Sequence, residues 1–211
     1  MTDEIVFYTN PQSRGRIARW ALEESGAPYR TEYLDFAAAM KTPAYLAVNP
    51  MGKVPAITHR GEVVTECAAI CAYLADAFPA AKLAPPVDAR ARYYRWLFFA
   101  AGPIEAAVTN KALQIEVSAE RERMVGYGNM DHVLDALEGA LDGREYLAAD
   151  SFTAADLYVG SQLSFGLLFK SIEPRPSFLA YTERLQARPA YKRAAELDDA
   201  AIAQTQSRAE A

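Results

Sequence analysis

The sequence predicts two domains of different class: a small mixed α/β domain over residues 1–80 and an all-helical bundle over 88–211, joined by a linker at 81–87. Three observations predict this. The first 80 residues alternate short branched or aromatic runs with single helical periods. The stretch from Pro79 to Val87 carries Pro79, Pro85 and Pro86 among small residues, the composition of a boundary. Every longer segment after it follows a helical repeat.

Ile5 to Tyr8 reads as a strand, ended by Pro11, which supplies no ladder donor. From Arg14 to Ser25 the pattern turns helical: Ile17, Ala18, Ala21 and Leu22 share a face, Arg19 and Glu23 can pair one turn apart, and Gly26 stops the helix. Tyr29 to Leu34 gives a second strand, completing a unit of the size that joins parallel strands. A short helix is expected over Pro43 to Val48. Ala56 to His59 and Glu62 to Thr65 flank Arg60-Gly61 as a tight hairpin, and Glu66 to Phe78 forms a third helix with Ile70, Cys71, Leu74 and Phe78 on one stripe.

Past the linker, Asp88 to about Ser118 reads as one long helix kinked at Gly102-Pro103, and Glu120 to Leu141 as another closed by Gly143. Long helices need partners, so a bundle follows. Thr153 and Asp156 form a capping-box variant, with Phe152 and Leu157 as its hydrophobic staple, opening a buried helix to about Leu168. That makes Asp156 structural rather than catalytic. Pro176 to Ala187 and Pro189 to Ile202 are two more helices, each with proline in the first turn, and the polar tail from Gln204 is expected to fray.

Composition narrows the function. With 51% hydrophobic and 23% charged residues, and no apolar run near the roughly 18 residues that span a bilayer, the 211-residue chain reads as globular, with no membrane partner expected. Acidic Asp3 and Glu4 stand where an export signal would be basic, so a cytoplasmic location is expected. A net charge of −5 argues against nucleic acid. The two cysteines, Cys67 and Cys71, share a helix face as small hydrophobes, and the two histidines, His59 and His132, lie far apart, so no metal is expected. A dinucleotide loop, P-loop and serine elbow are all missing.

Chemistry concentrates in two polar stations. One is Tyr8-Thr9-Asn10-Pro11-Gln12-Ser13-Arg14, after the first strand. The other comprises Gly52-Lys53-Val54-Pro55 and then Glu66-Cys67. Each sits where a strand yields to a turn or helix, an arrangement suited to a small anionic peptide and a catalytic hydroxyl. A cis bond at Val54-Pro55, which costs a proline only about 0.5 to 1 kcal/mol, would offer the Val54 backbone to an extended peptide.

Ser13-Arg14, Asn49-Pro50-Met51-Gly52-Lys53-Val54-Pro55-Ala56, Glu66 and Phe152-Thr153-Ala154-Ala155-Asp156, in that order along nearly the whole chain, resemble the cytosolic glutathione transferases. The resemblance implies a thioredoxin-like N-terminal domain, an all-α C-terminal domain, glutathione as co-substrate, a small electrophile as its partner, and a homodimer. In that family a Tyr, Ser or Cys near the first strand stabilises the glutathione thiolate. Ser13 matches the serine-type members and stands where bacterial cysteine-type members have a thiol. The helix dipole and Arg14 would favour the anion, while Ser13 as a mere helix cap is the plainer alternative. Tyr8 is the competing phenol. Otherwise it lines the cleft, with Asn10 as a further donor.

The resemblance also makes Glu66 the acceptor of the γ-glutamyl ammonium and the next residue the binder of its carboxylate. Cys67 departs there from the usual Ser or Thr, leaving its backbone N–H to carry that contact. Lys53 and Lys41 are candidates for the glycyl carboxylate, against the plain reading of solvated lysines. Phe99, Pro103 and Asn110, with Tyr8 and Asn10, are the expected electrophile pocket, and its lack of formal charge favours a small hydrophobic or aromatic compound. Tyr93, Tyr94, Trp96, Leu97, Phe98 and Phe99 put aromatics on several sides of one helix, as a dimer surface would. Two other readings use the same fold: a glutathione-dependent reductase, peroxidase or isomerase, and a non-catalytic glutathione-binding module.

Overall fold

The computed structural model describes residues 3–209, and the chain divides into two compact units. The first holds the residues up to Leu83 together with those from Ala187 onward, and the second holds Ala84–Gln186.

In the first unit, β1 (Ile5–Thr9) pairs parallel with β2 (Tyr29–Tyr33) and antiparallel with β3 (Ala56–His59), and β3 pairs antiparallel with β4 (Glu62–Thr65). The order is β2-β1-β3-β4. The β3–β4 hairpin lies at the residues expected, because Arg60 (φ 54°) and Gly61 (φ 88°) both take the positive φ that a tight hairpin turn requires. Along β1 the side chains alternate: Ile5, Phe7 and Thr9 are fully buried, while Val6 and Tyr8 are half-buried on the other face. The buried face looks onto α1 (Gly15–Ser25), whose Arg19 guanidinium stands 5.1 Å from the Phe7 ring. Tyr8 faces away from it, 5.5 Å from the ring of Tyr45 in the short helix α2 (Pro43–Leu46). Helix α3 (Cys67–Ala77) packs on α1 with Ile70, Cys71 and Leu74 fully buried. Each such side chain is worth about 1.5 to 3 kcal/mol, and together they form the core that fixes where these helices begin.

Helix α9 (Pro189–Ala209) lies in the first compact unit, although its sequence follows the helical domain expected over 88–211. It packs against α1. Arg188 forks onto the Glu24 carboxylate at 2.6 and 2.8 Å, Trp20 meets Tyr191 edge-on at 5.0 Å, Arg16 pairs with Asp199, and Arg19 pairs with Asp198 at 2.7 Å. The expected Arg19–Glu23 pair does not form. Arg19 turns inward to Asp198, and the Glu23 carboxylate accepts instead from the Tyr29 hydroxyl. Helical spacing shows which residues could meet along one helix but not which second helix will cover them. α9 also continues past Gln204, where fraying was expected.

The second unit is all helical: α4 (Ala91–Phe99), α5 (Glu105–Ala112), α6 (Met130–Leu141), α7 (Ala154–Leu168) and α8 (Pro176–Gln186). At Gly102-Pro103 the chain makes one π-helical turn, Ala100–Ile104, whose wider ladder accommodates the N–H that Pro103 lacks. The long helix expected to Ser118 stops at Ala112 because Gln114 adopts φ 56° and the Ile115 N–H returns to the Asn110 carbonyl at 2.8 Å. Nor does a helix span 120–129. Ala119–Met124 is a 3-10 segment, Gly128 takes φ 66°, and Asn129 caps α6 by accepting the His132 N–H at 2.9 Å. α7 is buried almost all round and forms the centre of this unit, opened by the Thr153–Asp156 capping box. Among the described residues no helix is long and apolar enough to cross a membrane.

Candidate active site

The turn between β1 and α1 is built by its own side chains. The Asn10 amide donates to the Leu34 carbonyl (2.9 Å) while its oxygen accepts the Gln12 N–H (2.9 Å), so Asn10 holds the loop. Ser13 is half-buried two residues before the first residue of α1. Its hydroxyl donates to the Asn10 carbonyl at 2.7 Å and accepts the Gly15 N–H at 2.9 Å, so at rest it serves the turn as a cap does. Gly15 is required here: a Cβ would stand 1.9 Å from Thr9 Oγ1.

Two helix N-termini meet beside this turn. The Cys67 thiol, at the first position of α3, donates to the Arg14 carbonyl at 3.6 Å, and Cys67 is buried. That contact brings the starts of α1 and α3 together, with Ser13-Arg14 on one side and Glu66 on the other. Glu66 is exposed and has φ 63°, ψ 122°, a conformation that favours glycine and costs a glutamate about 1 to 3 kcal/mol. Cys71, one turn on, is fully buried, and desolvation first, then the neighbouring Cys67, push its thiol well above the ordinary range. It is therefore a small core residue that stays protonated. Neither cysteine is in a disulfide.

The loop leading to β3 is equally well tied. The Tyr45 hydroxyl (2.6 Å) and the Asn49 amide (2.8 Å) both donate to the Lys53 carbonyl, and the Asn49 oxygen accepts the Met51 N–H at 3.1 Å. Burial pushes the Tyr45 phenol up to about 12, which keeps it a donor. The Lys41 ammonium donates to the Gly52 carbonyl at 2.9 Å, and Gly52, at φ 58°, can carry no Cβ, which would stand 2.8 Å from both Lys41 Nζ and the Met40 carbonyl. Lys41 thus braces the loop, Lys53 extends its side chain into solvent, and Val54 is half-buried before Pro55, with the Val54–Pro55 bond cis. Sequence reasoning missed Tyr45 and Asn49 as supports of this loop. The Asn49-Pro50-Met51-Gly52 turn composition was the available signal for Asn49, and Tyr45 left none.

The remaining candidates lie in the second unit. Phe99 ends α4 with its ring 5.2 Å from Trp96, Pro103 is half-buried in the π turn, and the Asn110 amide of α5 donates to the Tyr127 hydroxyl at 2.9 Å. Tyr127 had not been anticipated. Among the described residues no group of three or more His, Cys, Asp or Glu is placed to hold a metal.

A family model described as Glutathione S-transferase, N-terminal domain, matches residues 14–77, which take in the whole second station and only Arg14 of the first. The chain is 34% identical over 199 residues to glutathione S-transferase 1 of Schizosaccharomyces pombe, covering 82% of this chain and 86% of that one. It is 30% identical over 159 residues to a glutathione S-transferase of Xanthomonas campestris, covering 72% and 78%. Among solved structures, a sphingomonad glutathione S-transferase complexed with glutathione superposes with a TM-score of 0.75 at 32% identity, over 92% of this chain and 98% of that one.

Proposed function

The chain belongs to the glutathione S-transferase family and is an enzyme of glutathione conjugation; from that premise we propose that Ser13 is the residue that holds the glutathione thiolate. The observation that carries this reading is the Cys67–Arg14 contact, which sets the positive ends of two helix dipoles side by side next to the Ser13 hydroxyl. A helix terminus favours an anion by about 0.3 to 1 kcal/mol, whereas a hydrogen bond to a charged acceptor is worth about 1.5 to 3 kcal/mol. The hydroxyl is therefore the larger contribution. At about 1.36 kcal/mol per pKa unit it lowers a thiol from about 8.5 by one to two units, enough to ionise a large fraction at neutral pH. The ionised sulfur then attacks the electrophilic carbon and the leaving group departs with the displaced electron pair.

In this reading Glu66 receives the γ-glutamyl ammonium, the Cys67 backbone N–H receives the neighbouring carboxylate, and Val54 and Pro55 line the peptide. Lys53 meets the glycyl carboxylate, and Lys41 acts through the Gly52 carbonyl it holds. Arg14 adds positive charge. Phe99, Pro103 and Asn110 are our candidates for contacts to a small hydrophobic electrophile. We place the enzyme in the cytoplasm as a homodimer. Tyr94 and Phe98, one turn apart on α4 and 43% and 71% exposed, support a dimer surface.

Calorimetry with glutathione, alongside conjugation of a dinitrophenyl halide, tests the assignment. Ser13→Ala is expected to bind glutathione within a few-fold of wild type at alkaline pH but to conjugate at least tenfold more slowly at neutral pH. Unchanged neutral-pH turnover in Ser13→Ala would remove Ser13 from the role.

A further inference from the structure

Thr9 ends β1 with its backbone fixed on both sides: it is aligned with Tyr33 of β2, and its carbonyl accepts the Leu34 N–H at 2.8 Å. Its side chain is fully buried, yet Thr9 Oγ1 has no hydrogen-bond partner. An orphaned buried hydroxyl of this kind is destabilising, and valine would fill the same volume without that cost. The hydroxyl points at the Ser13 turn. The vacant Cβ position of Gly15 is 1.9 Å from Thr9 Oγ1, 3.0 Å from Ser13 Oγ and 3.2 Å from the Asn10 carbonyl oxygen, so all three oxygens gather around one point. At rest the Ser13 proton occupies the Asn10 carbonyl. To stabilise a thiolate, Ser13 must turn that proton toward sulfur, which leaves the Asn10 carbonyl with the Ser13 N–H at 3.1 Å alone and opens its second acceptor position.

We propose that Thr9 is a positioning residue whose buried hydroxyl takes over the Asn10 carbonyl when Ser13 turns its proton to the thiolate. The exchange leaves the number of hydrogen bonds favourable to the bound state. At rest one hydroxyl is orphaned, and with the thiolate present Thr9 O–H meets the Asn10 carbonyl while Ser13 O–H meets sulfur. Interactions gained only with the anion lower the pKa of the bound thiol without tightening the neutral complex. The only covalent bond broken is the thiol S–H: sulfur keeps the electron pair and the proton leaves to solvent, as in the unassisted ionisation. This inference rests on the Ser13 reading above, and the experiment separates the failure of one from that of the other.

The test is a pH titration of the ultraviolet thiolate band of enzyme-bound glutathione, measured as a difference against ligand-free protein, in wild type, Thr9→Val, Thr9→Ser and Ser13→Ala, with thermal unfolding of each. Thr9→Val is expected to unfold at the same or a higher temperature, because it removes an orphaned hydroxyl, and still to raise the bound thiol pKa by about one unit, equivalent to about tenfold slower conjugation at neutral pH. Thr9→Ser is expected to restore the wild-type titration, and Thr9→Val added to Ser13→Ala to shift it no further. A wild-type thiol pKa in Thr9→Val, with Ser13→Ala shifted, would overturn the proposal and leave the Ser13 reading standing. So would a Thr9→Ser titration as displaced as that of Thr9→Val. If Ser13→Ala itself leaves the thiol pKa unchanged, the Ser13 reading fails and the Thr9 proposal with it.

Discussion

Arg19→Met is expected to cost the fold about 3 to 5 kcal/mol at neutral pH, the loss typical of removing one partner from a buried ion pair. Arg19 and Asp198 are both essentially inaccessible, and Asp198 Oδ2 has no hydrogen-bond partner even in the wild type. The guanidinium also donates to the hydroxyls of Tyr29, Thr31 and Tyr33 and lies over the rings of Phe7, Tyr29 and Tyr33, so it binds the edge strand β2, α1 and α9 together. Burial opposes both charges. Against it, Asp198 still holds Arg19 above its ordinary pKa, whereas desolvation keeps the Asp198 carboxyl above its own despite Arg19.

Without Arg19 that upward push on Asp198 is unopposed, and the sign of the pH dependence follows. A carboxyl whose native pKa exceeds its unfolded value of about 3.9 binds more protons folded than unfolded, so its contribution is greatest at low pH and is lost as pH rises through the native pKa. Urea midpoints should therefore show a small deficit for Arg19→Met in mild acid and the full deficit at neutral pH. Arg19→Met with Asp198→Leu, which removes both charges, should recover most of it. A deficit independent of pH and unrelieved by the second change would mean that lost packing, not an abandoned charge, dominates.

Asp156→Ala should be comparably damaging, at about 3 to 5 kcal/mol. The fully buried Asp156 carboxylate accepts from four groups: the Leu147 N–H at 2.7 Å, the Thr153 N–H at 2.9 Å, the Thr153 hydroxyl at 2.8 Å and the Tyr181 hydroxyl at 2.9 Å. It thus closes the start of α7, fixes the incoming loop at Leu147 and reaches α8 through Tyr181. Burial raises its pKa despite these donors, so the bonds are needed to offset desolvation. Alanine would orphan all four donors and leave a void at the centre of the second unit. A loss below about 1 kcal/mol by equilibrium unfolding would show that water substitutes for the carboxylate, contrary to its burial.

How much of this was legible in the sequence depended on whether local chemistry or a distant partner decides a residue's place. The β3–β4 hairpin and the Thr153–Asp156 cap could be read directly, because a positive-φ turn and a side-chain cap are complete within a few residues. The Asp88–Ser118 and Glu120–Leu141 helices were overextended because Gln114 adopts positive φ without being glycine, and because Ala119–Met124 has helical composition but forms only a six-residue 3-10 segment. Arg19 was assigned to Glu23 because Asp198 lies 179 residues away, beyond any periodicity. In the site, the order of Ser13, the Asn49–Ala56 turn and Glu66 carried the family resemblance. The orphaned Thr9 hydroxyl, the use of Asn10 within its own loop and the Cys67–Arg14 tie are tertiary facts with no pattern along the chain. Even where the sequence named Ser13, it could not show that the hydroxyl caps its own turn at rest.

That resting bond makes the protonation state of bound glutathione the most direct test of the account. The thiolate band of the complex should titrate with a pKa one to two units below the free thiol in wild type and in Tyr8→Phe, and near the free value of about 8.5 in Ser13→Ala. Because Cys71 is held protonated by burial, it should not contribute to the difference signal. A depressed pKa that survives Ser13→Ala and vanishes in Tyr8→Phe would contradict the account and give the thiolate to the phenol.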